Sequence, residues 1–132
     1  MDFSSLVIME KDKETGFIKR ELGSFEVDEK ALHVKKLYVI DNEVNLYFDT
    51  GKDVEEWEYS AIYDLFNEER FNEAGFKLEE DLDEYNPTFI LKFQYKEDHN
   101  DMKEILDKAI EMIYEEMENV FETIKGKEEE YK

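Results

Sequence analysis

Two periods of apolar residues run through this chain. The plainer one lies near the C-terminal end, where Met102, Leu106, Ala109, Ile113, Met117, Val120 and Ile124 follow at steps of 4, 3, 4, 4, 3 and 4. At 3.6 residues per turn these positions share one side of a helix, and Ile105, Ile110 and Phe121 widen the stripe. The spacing predicts one long amphipathic helix over residues 102–124, about six turns. Asp98 or Asn100 suits its start and Gly126 its end, while Lys125 and Lys127 complement the negative end of its dipole.

The first half of the chain carries the two-residue period of strands. Phe3–Glu10 holds the apolar run Leu6-Val7-Ile8-Met9, and Lys13-Glu14-Thr15-Gly16 reads as a turn. Phe17–Val27 follows as a strand whose isolated Gly23 predicts a bulge or bend. Leu32–Ile40 alternates Leu32, Val34, Lys36, Tyr38 and Ile40 against His33, Lys35, Leu37 and Val39. Asp41-Asn42-Glu43 fits a hairpin turn into a strand at Val44–Phe48, and Thr50-Gly51-Lys52-Asp53 fits a second. Val54–Tyr59 then reads as a third consecutive strand, with Trp57 and Tyr59 on one face. The competing reading is a helix from Asp53, because Val54, Trp57, Ala61 and Leu65 also fall at helical spacing.

Ser60 suits the N-cap of a middle helix carrying Ala61, Ile62, Leu65 and Phe66, interrupted near Asn67 and ended by Gly75. Phe76–Glu84 alternates enough for a short edge strand and is acidic enough for a loop. Asn86-Pro87 marks a turn, and Thr88–Tyr95 is the strongest strand in the chain. Together these elements predict an α+β fold. Its antiparallel sheet of five or six strands is covered on one face by the long C-terminal helix and a shorter middle helix. Residues 1–126 read as a single domain and 127–132 as a frayed acidic tail, with no linker or repeat.

Composition narrows the chemistry. With 41% hydrophobic and 14% aromatic residues, 132 residues suffice for a core without a disulfide or metal staple. No cysteine is present, which removes disulfides, thiolate zinc sites, iron–sulfur ligation and cysteine nucleophiles. The start of the chain lacks the basic and apolar regions of a signal peptide. Its longest apolar runs, Leu6–Met9 and Leu37–Ile40, are far shorter than a membrane span. A cytoplasmic protein without membrane contact is expected. The net charge, 17 − 37 = −20, repels nucleic acid and anionic lipid and attracts basic proteins.

No motif dictates a reaction. The five glycines are scattered, so neither a phosphate loop nor a dinucleotide fingerprint is present, and no cofactor is called for. His33 and His99 lie far apart, the first expected on a partly exposed strand face and the second just before the helix. The acidic run Glu79–Glu84 fails as a calcium loop. Counted from Asp81 it has Asn86 where a glycine is needed and Lys92 where a glutamate is needed. No catalytic or metal-ligating residue is assigned.

The outer side of the long helix stands out instead. Glu104, Asp107, Glu111, Glu115, Glu118 and Glu122 recur at steps of 3, 4, 4, 3 and 4, a continuous acidic stripe opposite the apolar one. Like charges one turn apart cost a helix about 0.2–0.5 kcal/mol per pair, and a strong apolar face tolerates that cost. These six residues are the candidate interaction face. Trp57 within Glu55-Glu56-Trp57-Glu58-Tyr59 is a second feature, read as core packing or as an aromatic ligand platform.

The segments Asp53–Phe66, Asn86-Pro87-Thr88-Phe89 and Lys125–Lys132 resemble a family of small, uncharacterised acidic proteins of low-GC Gram-positive bacteria. The likeness spans most of the chain. It implies a bacterial, cytoplasmic, whole-chain domain and carries no functional residue with it. Two functions follow as expectations. One is a non-catalytic interaction module presenting its acidic face to a basic partner, with mimicry of a nucleic-acid backbone as a variant. The other is a small-ligand binder or enzyme using carboxylates and the aromatics Trp57, Tyr59 and Tyr85. The chain is expected to be a monomer, or a homodimer through the exposed helix or a sheet edge.

Overall fold

Turn chemistry sets the strand pairing. In the computed structural model, which describes residues 4–132, the Asp12 carboxylate accepts the N–H groups of Glu14 (2.9 Å) and Thr15 (3.0 Å). That turn folds β1 (Ser4–Lys11) against β2 (Ile18–Val27). Phe3, where the first strand was expected to begin, lies outside the described residues. Asp41 and Asn42 both take positive φ, 50° and 67°. A tight two-residue hairpin needs that conformation to match strand twist, and it joins β3 (Val34–Ile40) to β4 (Glu43–Asp49). The predicted irregularity at Gly23 is a bulge: Ile8 pairs with Gly23 and Met9 with Glu21, leaving Leu22 unpaired.

The remaining elements are α1 (Glu56–Leu65), α2 (Glu68–Glu73), β5 (Lys77–Asp81), β6 (Thr88–Gln94) and α3 (His99–Ile124). Short 3₁₀ turns lie at Glu29–His33 and Glu128–Glu130. The strands form one six-stranded sheet in the order β2-β1-β3-β4-β6-β5. All neighbours are antiparallel except β1 and β3, which run parallel. The first 3₁₀ turn accompanies that exception: it carries the chain from the end of β2, beside the start of β1, across into β3. The architecture is therefore α+β, with a mostly antiparallel sheet, the long C-terminal helix and a shorter, two-part middle helix.

Alternation along β4 and β6 builds the core. Val44, Leu46 and Phe48 register against Phe93, Leu91 and Phe89, and all six are buried. Phe48 and Phe89 stack at 5.3 Å, and Phe66 adds its ring to Phe89 at 4.3 Å. The inner stripe of α3, Met102 to Ile124, is buried at every predicted position in the same cluster. Each of these side chains larger than Ala109 contributes about 1.5–3 kcal/mol on burial, enough to hold a helix whose outer face is self-repelling. The opposite face of the sheet carries Tyr38 and Tyr47, hydroxyl to hydroxyl at 3.2 Å, with Lys11 and Lys36 over their rings.

The structure corrects two local expectations. Val54–Tyr59 is not a strand: its second half forms the start of α1. The Glu55 carbonyl accepts the Tyr59 N–H (2.9 Å), and the Glu58 carboxylate accepts the Glu55 N–H (2.8 Å). Six residues are too few to separate a two-residue from a 3.6-residue period. The buried continuation Ala61, Ile62 and Phe66 decides for helix, and Ser60 lies inside it instead of capping it. His33 is not on a strand face but buried in the 3₁₀ turn, whose start Asp28 caps by accepting the Lys30 N–H (3.0 Å). Beyond α3, Glu128–Glu130 forms the second 3₁₀ turn, and the Tyr131 hydroxyl donates to Asp64 at 2.6 Å.

Candidate functional site

Helix α3 positions the acidic face. Asp98 caps it by accepting the Asp101 N–H (3.0 Å), and the apolar stripe fixes its rotation about its own axis. Glu104, Asp107, Glu111, Glu115, Glu118 and Glu122 consequently all point to solvent. At 1.5 Å per residue the row is about 27 Å long. Four of the six meet cations of the same chain: Asp107 with Lys103 (2.8 Å), Glu111 with Lys30 (3.9 Å), Glu115 with Arg70, and Glu122 with Lys125 (2.8 Å). Glu118 accepts from the Tyr114 hydroxyl, and that hydrogen bond to a carboxylate raises the Tyr114 phenol above its ordinary value.

The row is not merely convex. Its N-terminal half forms one wall of a groove of about 410 Å³ against the end of β2 and the 3₁₀ turn. Asp107 and Glu111 face Glu26 and Asp28 across a floor of Val27 and Ile110. Two lysines of the chain occupy it. Lys103 donates to the Glu26 carbonyl (3.3 Å) and to Asp107, and Lys30 reaches Glu111. Four carboxylates against two ammonium groups leave the groove negative, and its geometry already accepts alkylammonium groups.

One acidic residue of α3 was missed by the stripe. Glu116 is only 1% exposed. It accepts the Asn67 N–H (3.1 Å) at the start of α2, and Arg70 lies 3.4 Å from its other oxygen. The signal was present in the spacing, since Glu116 follows Ile113 by three and precedes Val120 by four, inside the apolar arc. Glu116 thereby fastens the start of α2 to α3, and Arg70 spans from it to the exposed Glu115.

The histidines serve packing. His33 Nδ1 lies 2.9 Å from the Asp49 carbonyl, and desolvation holds its imidazole below the ordinary value. Gly51 beside it has φ of 73°, and an added Cβ would approach Leu32 and the His33 ring to about 3 Å, so only glycine suits this turn. His99 stacks on Phe25 at 4.5 Å, and its Nε2 is 3.2 Å from the Ser24 carbonyl. Among the described residues, no three His, Asp or Glu side chains converge as a metal would require. Trp57, Tyr59 and Tyr85 do not converge either. Trp57 lines a cavity at the end of α3, Tyr59 donates to the Glu84 carbonyl (3.3 Å), and Tyr85 is 79% exposed.

A two-layer α+β protein with an acidic outer helix is what fold and surface define. The chain belongs to the family of unknown function DUF6762, whose model matches residues 1–132. None of the curated proteins and none of the solved structures matches it. No helix among the described residues is long and apolar enough to cross a membrane.

Proposed function

We propose that this protein is a non-catalytic interaction module that docks a basic protein surface along the outer face of α3. The observation that carries the reading is the groove in which Asp107 and Glu111 meet Glu26 and Asp28 around the chain's own Lys30 and Lys103. A partner's lysine or arginine side chains replace these internal cations, or lie beside them, and the remaining carboxylates extend the contact along the helix. The field of a −20 chain steers such a partner toward it. The alternative of a carboxylate-centred active site has weaker support, because the most deeply buried carboxylate among the described residues, Glu116, is held by Asn67 and Arg70.

The test separates a docking face from bulk charge. A lysine- and arginine-rich peptide is titrated at low salt into the native chain and into two variants of equal net charge. One carries Gln or Asn at Glu104, Asp107, Glu111, Glu115, Glu118 and Glu122. The other carries Gln or Asn at the exposed Glu14, Glu21, Glu73, Asp83, Glu84 and Glu97. The stripe variant is expected to lose at least about tenfold more affinity than its charge-matched counterpart. Equal losses would show that only net charge matters and would refute the reading.

A further inference from the structure

A second cavity, of about 470 Å³, lies at the opposite end of α3, between the start of α1 and the C-terminal 3₁₀ turn. Its volume is in the range of small-molecule sites. Trp57, Phe121 and Ile124 give it apolar walls, and Glu58 and Glu129 line it as well. The sequence singled out Trp57, and the acidic-groove reading does not use it.

Three observations fix the chemistry of a ligand. The first is that the site already displays an ammonium on an aromatic face: Lys52 Nζ sits 4.3 Å from the centroid of the Phe121 ring. The ring quadrupole attracts a cation at that distance. Among the described residues Lys52 forms no ion pair, although acids outnumber bases 37 to 17. Its ammonium therefore rests on the ring and not on a carboxylate.

The second is the local field. The cavity adjoins the C-terminus of a 26-residue helix, the negative end of its dipole. Lys125, the other lysine lining the cavity, is taken up by Glu122 at 2.8 Å. The Glu129 carboxylate is free of ion pairs among the described residues, whereas Glu128 is held by Lys132. The third is the indole. Trp57 Nε1 donates to Glu55 (3.2 Å), so the edge of the indole is tied down. Aromatic walls under a negative potential select cations with apolar substituents over hydrated metal ions and over anions.

We infer that this cavity is a binding site for alkylammonium groups, with Phe121 and Trp57 as its aromatic walls, Glu129 as its counter-charge and Lys52 as the intramolecular occupant. The ligand is either a free organic amine or the lysine side chain of a bound protein, and the shared chemistry is an ammonium on an apolar stem. The inference is independent of docking at the acidic groove, since the two sites share no residue.

Trp57 is the single tryptophan of the chain, so its emission reads this cavity directly. n-Butylammonium chloride is titrated at constant ionic strength, with sodium chloride and sodium butyrate as controls. A saturable change in emission is expected with butylammonium alone, half-complete below about 10 mM, as suits so small a ligand. Lys52→Ala removes the competing ammonium and is expected to tighten binding about threefold, while Glu129→Gln weakens it about twofold. Both residues are exposed, and an unchanged melting temperature verifies that each variant is folded. Nα-acetyl-lysine amide in place of butylammonium distinguishes the sources, since a protein-borne lysine must compete equally well. Emission that follows sodium or butyrate to the same extent would overturn the inference. So would Lys52→Ala binding that is unchanged or weaker.

Discussion

Glu116 and Glu115 are neighbours on one helix with the same side chain, and Arg70 touches both. Their situations differ completely. Glu115 is exposed and belongs to the row of six carboxylates on the outer face of α3. Glu116 is out of reach of water and depends on the Asn67 N–H and the Arg70 guanidinium. A surface ion pair contributes little because water competes for both partners, whereas a buried charge that loses its partners has nothing to replace them. The same residue type one position apart therefore serves architecture at one site and surface potential at the other.

The largest expected effect tests the buried half of that contrast. Glu116→Ala leaves Asn67 N–H and one side of Arg70 unsatisfied and should lower stability by about 2–3 kcal/mol in chemical denaturation. A loss no greater than that of Glu115→Ala would erase the distinction. Arg70→Ala leaves the buried Glu116 carboxylate with only the Asn67 N–H as partner, so a loss of about 2–3 kcal/mol, comparable to that of Glu116→Ala, is expected. If the two changes are combined, their effects should fall well short of additive, because they share one network.

The exposed half predicts the opposite sign. Replacing all six stripe acids with Gln or Asn should raise the melting temperature at low salt and flatten its dependence on salt. In the native chain, moderate salt or a fall in pH from 7 to about 5.5 should stabilise the fold by relieving self-repulsion. A melting temperature indifferent to salt would mean that Lys103, Lys30, Arg70 and Lys125 already balance the row.

Two smaller effects sharpen how burial and partner decide a titration. Burial raises the Glu80 carboxyl above its ordinary value of 4.5, and the like charge of Glu68 adds to the shift. A raised folded value means that the folded state binds the proton more tightly. Its contribution is full below pH 4.5 and is lost as pH rises through the raised value. Glu68→Gln should shrink that loss in a stability–pH profile. The Tyr131 phenol is raised to about 12, chiefly by its hydrogen bond to Asp64. That contact is present below pH 10 and is released as pH climbs through about 12. Asp64→Asn should move the phenol's absorbance titration back toward 10, with little change in global stability.

Much of this was legible along the chain, for a common reason: local chemistry acts over a few residues. The turn at Asp41-Asn42, an irregularity at Gly23, a cap at Asp98 or Asn100 and the inner stripe of α3 all declare themselves by residue type and spacing. Val54–Tyr59 did not, because a six-residue window fits both periods and the deciding contacts, Ala61, Ile62 and Phe66, lie beyond it. His33 was misplaced because the turn that buries it is capped by Asp28, five positions upstream. Of the candidate site, the six carboxylates were readable as a stripe. Their partners Lys30 and Arg70 were not, since those pairs span long separations in sequence.

The period of each long element, the absence of thiol chemistry, and the sign and size of the charge could be read from residue order alone, because these are properties of composition and of neighbours. Tertiary structure alone decided the parallel pairing of β1 with β3, the burial of Glu116, the meeting of Asp107 with Glu26, and the placement of Lys52 on Phe121. Each of those joins residues whose separation is closed only by the packed core, and a one-dimensional pattern carries no record of which distant surfaces that core brings together.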